Sequence, residues 1–177
     1  MAKQKWVIDP IHSDVSFKVR HMMITNVTGT FDVIEGTMLS DKSDFSDAEI
    51  SFEAEIASIN TRNAQRDEHL RSNDFFNAAE APKITFKSEQ FKQLGNGLAE
   101  LTGTINIRNV SKPITLKAAH TGTVVDPWGQ VKAGFELSGS INRSDFGLQW
   151  SASSEEGVIV LAEEVKLMIN AQLVKQQ

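Results

Sequence analysis

The chain has 177 residues, 40% of them hydrophobic and 23% charged, which fits one globular domain with a substantial core. A formal net charge of −5 without any basic stripe excludes nucleic acid as a partner and gives no general attraction to anionic membranes. With no cysteine, a thiol nucleophile, a disulfide framework and cysteine-ligated metal sites are excluded as well.

Residues 1–5 are short and polar, and no apolar signal core stands ahead of Trp6. No run approaches the roughly 18 apolar residues that span a bilayer. As written the chain reads as cytoplasmic, or as periplasmic or secreted if it is a trimmed mature form. Trp6-Val-Ile-Asp9-Pro10 forms a lead-in ended by a proline that cannot continue a ladder. From there apolar residues recur at every second position. Val15, Phe17 and Val19 mark a strand at 13–21, followed by strands at 28–38 and 47–56, the latter carrying Ile50, Phe52, Ala54 and Ile56. Further strands are predicted at 83–94, 98–108, 113–125, 131–142 and 163–174. Period two means one apolar face and one wet face on each. Asn96-Gly97 suits a tight hairpin, and Asp126-Pro127-Trp128-Gly129 suits a type I turn. The connections predict an antiparallel meander.

Only the segment at about 61–80 breaks the alternation. Asn60 or Thr61 would cap a helix over 63–71, and Asn73 or Asp74 would start a second short turn. Leu70, Phe75 and Phe76 would be buried by this crossover, which is placed to plug or cover one end of a barrel. The predicted fold is thus all-β: an eight-stranded antiparallel barrel with a short helical crossover, in a single domain over 1–177. A sheet without covering helices buries its apolar face by closing on itself. Eight strands give an interior just filled by side chains, or one that holds a small ligand.

The inward set comprises Val15, Phe17, Val19, Phe31, Phe52, Ala54, Phe86, Leu101, Gly103, Ile105, Ala118, Ala133, Phe135, Leu137 and Ile169. Two readings of its small members stand. Either they sit where strands crowd in a filled, tapering barrel, or they line a long apolar channel. Almost no inward position is charged, so a channel would receive an aliphatic or isoprenoid tail rather than a sugar or nucleotide. On this reading a bulky residue at Gly103 or Ala133 would block tail insertion and leave the fold largely intact.

Several motifs resemble the YceI-like family. Trp6-x-Ile8-Asp9-Pro10-x-His12-Ser13-x-Val15-x-Phe17-x-Val19-Arg20-His21-Met22 with Thr28-Gly29-x-Phe31 is similar to that family's opening. Arg66-Asp67-x-His69-Leu70, Asp74-Phe75-Phe76 and Pro82-x-Ile84-x-Phe86-x-Ser88 resemble its central signature. Gly103-x-Ile105-x-Ile107-Arg108-x-Val110-x-Lys112-Pro113 and Ile141-Asn142-Arg143-Ser144-Asp145-Phe146-Gly147-Leu148 complete the match, with Asn109 where a glycine is more usual. The resemblance implies a lipocalin-like barrel whose hydrophobic channel binds a polyisoprenoid, isoprenoid quinone or fatty-acyl lipid. It implies a homodimer too, and supplies no agreed catalytic activity.

His12, His21, His69 and His120 show no metal-site spacing, and no nucleophile elbow is present. No catalytic residue, metal or cofactor is therefore assigned, the lipid itself being the expected ligand. The polar rim is assigned to Arg20, His21, Arg62, Arg66, His69 and Trp150. Placed on one helix, Arg62, Arg66 and His69 fall at i, i+4 and i+7 and share a face, with Asp67 turned towards Arg71. One reading makes Arg66, Asp67 and His69 structural ties between helix and barrel. The other makes the cluster a receptor for a polar or phosphorylated headgroup, which arginine forks suit. Arg143 and Asp145 read as a structural pair at a turn. Trp128 and Trp150 would cap the core, gate a mouth or make transient contact with a membrane. Met22, Met23 and Ile24 would serve as cavity rim or dimer contact. The expected function is binding and sequestration or transport of an amphiphilic lipid. Its rivals are an enzyme using His69 or His21 on an apolar substrate, and a dimeric stress or interaction protein with a filled barrel.

Overall fold

The computed structural model describes residues 3–22, 24–148 and 161–177. In chain order the strands are β1 (Lys5–Ile8), β2 (Asp14–His21), β3 (Thr25–Phe31), β4 (Ile34–Leu39), β5 (Glu49–Glu55) and β6 (Ile59–Asn60). Helix α1 (Ala64–Arg71) follows, then β7 (Lys83–Gly95), β8 (Leu98–Ile107), β9 (Val110–Val125), β10 (Val131–Asn142) and β11 (Leu161–Lys175). Neighbouring strands pair antiparallel in the order β1-β4-β5-β7-β8-β9-β10-β11-β2-β3-β6, and β1 also pairs β11.

Closure comes from the long β11. One edge runs along β10, and the other meets β2 (Phe17 opposite Leu167) and then β1 (Ile8 opposite Leu173). β1 and β2 are therefore one wall strand interrupted at 9–13. β3 and β4 are a second, interrupted at 32–33, and β5 and β6 a third, interrupted by a 3₁₀ turn at Ile56–Ser58. Counted this way the wall has eight strands, an eight-stranded antiparallel closed barrel of lipocalin-like type. Two expectations need correction. The lead-in Trp6–Ile8 is a wall strand that completes the barrel, and the strand expected at 28–38 is broken at Asp32 and Val33. The breaks keep their backbone groups satisfied. Asp9 N–H donates to Gln172 O at 2.8 Å, Glu55 N–H to Val33 O at 3.0 Å and Asp32 N–H to Ser58 O at 3.2 Å.

Turn chemistry follows the sequence. Asn96 and Gly97 take φ values of 58° and 77°, as a type I′ hairpin requires. Asn109 sits at φ 61°, which explains why glycine suits that position and why asparagine is tolerated there.

At one end gather the chain termini, the hairpins around Gly97 and Trp128, and the loop 40–48. Trp128 is 83% exposed on its turn tip, so it neither caps the core nor gates a mouth. Phe45 does close this end. It is buried and makes edge contacts with Trp6 (5.6 Å), Phe135 (5.2 Å) and His120 (5.1 Å), and the His120 ring stacks on Phe135. Its φ of 58° is a left-handed conformation costing about 1–2 kcal/mol for a bulky residue.

Asp47 holds the loop against that cost. Its carboxylate accepts from Ser40 Oγ (2.6 Å), Asp41 N–H (2.9 Å) and Lys42 N–H (3.3 Å). Burial pushes the carboxyl up, but these bonds together outweigh it and bring the pKa down to about 2 from 3.8. A folded-state pKa below the unfolded one stabilises fully above the unfolded value and is lost as pH falls through the folded one. Acidification from 3.8 to about 2 should therefore release the Phe45 loop, read as loss of the Phe45 ring shifts by NMR. Asp47→Ala should cost about 2 kcal/mol at neutral pH and flatten that acid dependence.

Candidate binding cavity

The barrel encloses a cavity of about 600 Å³ that runs from Phe91, Leu101 and Phe135 near the Phe45 end up to His21, Arg66 and His69 beneath α1. The filled, tapering interior therefore does not hold. Of the inward residues, Val15, Phe17, Val19, Phe31, Phe52, Ala54, Phe86, Leu101, Ile105, Phe135, Leu137 and Ile169 form its wall. Gly103, Ala118 and Ala133 do not.

At Gly103 an added Cβ would come within 2.3 Å of Lys87 O and 2.6 Å of Phe86 Cζ, because the Phe86 ring lies across it. Ala133 is fully buried in the packed core. Enlarging either would overpack the wall rather than fill the cavity. The small residues on the wall are Gly36, Ser51, Ala54 and Ala171. Alternation also understated the wall at the helix end, where Asn63, Gln65, Phe75, Phe76, Arg143 and Leu161 contribute. Their signal was the uncharged Phe75-Phe76 pair inside a polar crossover.

The rim is built by the start of α1. Asn63 is its cap, accepting from Arg66 N–H at 3.0 Å, not Asn60 or Thr61 as expected. Arg62 thus precedes the helix at φ 66°, exposed and outside the cavity wall, so it does not share a helical face with Arg66 and His69. Arg20 lies on β2 between the inward Val19 and His21, hence on the opposite face, and is no part of the wall. Trp150 and Met23 lie outside the described residues.

Arg66 borders the cavity while donating from Nε to Thr61 Oγ1 (2.8 Å) and from Nη2 to Thr61 O (2.6 Å). The buried Asp67 accepts from Thr61 N–H at 2.9 Å and from its hydroxyl, so Asp67 turns to Thr61 rather than to Arg71. His69 places Nε2 at 2.8 Å from Asp74 Oδ2, with its ring edge-on to Phe75 at 5.2 Å.

Two further arginines tie the surrounding loops. Arg143 is 3% exposed and donates to Leu148 O (2.7 Å), Ala162 O (2.9 Å) and Leu161 O (3.2 Å), with Glu163 Oε1 at 3.7 Å. Its partners are thus strand and loop carbonyls rather than the expected Asp145. Arg108 donates from Nη2 to Asn73 Oδ1 at 2.9 Å and from Nη1 to Gly147 O. Among the described residues no group of three metal-ligating side chains comes together, and no helix is long and apolar enough to cross a membrane.

An apolar chamber with one aromatic floor and one polar, arginine- and histidine-bearing mouth suits a ligand with a long apolar part and a polar end. Fold and cavity together define a lipocalin-like β-barrel. The chain belongs to the YceI-like family, whose domain matches residues 6–173. It is 36% identical over 158 residues to the protein YceI of Escherichia coli, covering 88% of this chain and 82% of that one. The crystal structure of the Campylobacter jejuni YceI protein is 32% identical with a TM-score of 0.75, covering 87% of this chain and 88% of that one. A polyisoprenoid-binding domain from Saccharophagus degradans, at 17% identity, shares the fold with a TM-score of 0.69 over 97% of this chain and 98% of that one.

Proposed function

We propose that the protein binds a long-tailed amphiphilic lipid of the polyisoprenoid class in its barrel and sequesters or carries it. The observation that carries this reading is the apolar cavity of about 600 Å³ with its polar groups confined to one mouth. The Saccharophagus degradans neighbour, described as polyisoprenoid-binding, supports the ligand class. A tail gains about 0.8 kcal/mol per buried CH₂ relative to water. Its real competitor is a bilayer, where the tail is already dry. Transfer between bilayer and barrel is then nearly balanced, and contacts of the headgroup with His21, Arg66 and His69 tip it. Such balance suits exchange better than permanent capture. The same reading includes a homodimer and transient membrane contact, the latter favoured by Ile24, which stands 76% exposed in the loop at the mouth end.

Native mass spectrometry of freshly purified protein, followed by organic extraction, tests the proposal. A stoichiometric isoprenoid or fatty-acyl species supports it. An apo mass together with failure to take up offered prenyl lipids overturns it. A second reading, catalysis on a bound lipid, rests on the His69–Asp74 contact at the mouth. It requires that His69→Ala abolish turnover while tail binding persists.

A further inference from the structure

Resting on the lipid-binding reading, we infer that the aromatic floor is a ruler for tail length, with Phe135 as the residue that sets it and Phe45 as its backing. Phe45, His120 and Trp6 are not among the residues that line the cavity. Phe135 and Phe91 form its inner surface, their rings 6.3 Å apart. Beneath Phe135 lie Phe45 and His120, and Trp6 closes against Phe45. Two aromatic layers thus stop a tail that enters from the mouth. The second layer is held in a left-handed backbone conformation by a loop pinned through Asp47, the sort of strained position that persists only when its surroundings fix it.

The space above this floor is finite. A cavity of about 600 Å³ bounds how much of a tail can be buried above it. A longer tail would leave its remaining carbons outside the barrel, unburied.

The test offers the protein an equimolar mixture of prenyl alcohols of increasing length and reads the bound distribution by native mass spectrometry. The native chain should retain lengths up to a limit and discriminate against longer ones. Phe135→Ala should extend the retained lengths by about one unit, since the ring it removes is close in size to one isoprene unit. Phe45→Ala should shift them in the same direction. Ala171→Leu, beside Phe135 on the adjacent strand β11, should shorten them, and it decides the matter if either truncation fails to fold. Uptake with a length distribution unchanged across all variants overturns the ruler and leaves lipid binding standing. Uptake by none of the forms overturns the lipid-binding reading and the ruler with it.

Discussion

Ala54→Trp is expected to abolish lipid uptake while the barrel still folds. Ala54 lies on β5 between Ile34 and Ile84 of the neighbouring strands, and it faces the cavity about midway between floor and mouth. Ala54 is buried but borders the cavity, so an indole there has volume to extend into and the overpacking penalty stays at the low end of about 1–3 kcal/mol. Displacing the equivalent of about four methylenes removes about 3 kcal/mol of tail burial, roughly a hundredfold in affinity. Titration with an apolar dye should show that loss, with the thermal midpoint within a few degrees of the parent. Gly103→Trp should behave in the opposite way. Its side chain meets the Lys87 carbonyl and the Phe86 ring, so stability falls first. Undiminished dye uptake by Ala54→Trp would refute the cavity as the binding site.

Arg143→Met should be the most destabilising single change at the mouth, by about 2–4 kcal/mol in urea unfolding. Methionine roughly preserves the volume but donates nothing. Three carbonyls, the buried one of Leu148 and the partly buried ones of Leu161 and Ala162, would lose the guanidinium that satisfies them. Lysine should rescue little, because a single ammonium cannot reproduce a planar fork addressing three acceptors. A loss below about 1 kcal/mol would show that the Arg143 bonds to these carbonyls contribute little to stability.

Period-two alternation made the strands of the wall readable, because each strand's two faces see different solvents. What alternation cannot report is the neighbour. Gly103 is inward by register, yet the ring that covers it comes from Phe86 on the adjacent β7. The pairing of Trp6–Ile8 with β11 joins opposite ends of the chain, a contact with no local trace. The start of α1 was misplaced because Asn60, Thr61 and Asn63 are all capable caps; side-chain reach to Arg66 N–H selects the third. That choice removed Arg62 from the site. The floor was missed altogether, although its signal was present: Phe45 is a lone aromatic in the polar run Asp41-Lys42-Ser43-Asp44 and Ser46-Asp47. An isolated large apolar residue in a polar loop asks where its surface goes.

The two ends of the barrel are held by different forces. The mouth is laced by guanidinium-to-carbonyl bonds from Arg66, Arg108 and Arg143, while the floor is a stack of rings around Phe45. Apolar association weakens on cooling, whereas directional hydrogen bonds do not share that dependence. Chilling therefore slackens the floor relative to the mouth, and salting-out anions tighten it. Temperature and solvent thus act on one end of the molecule at a time.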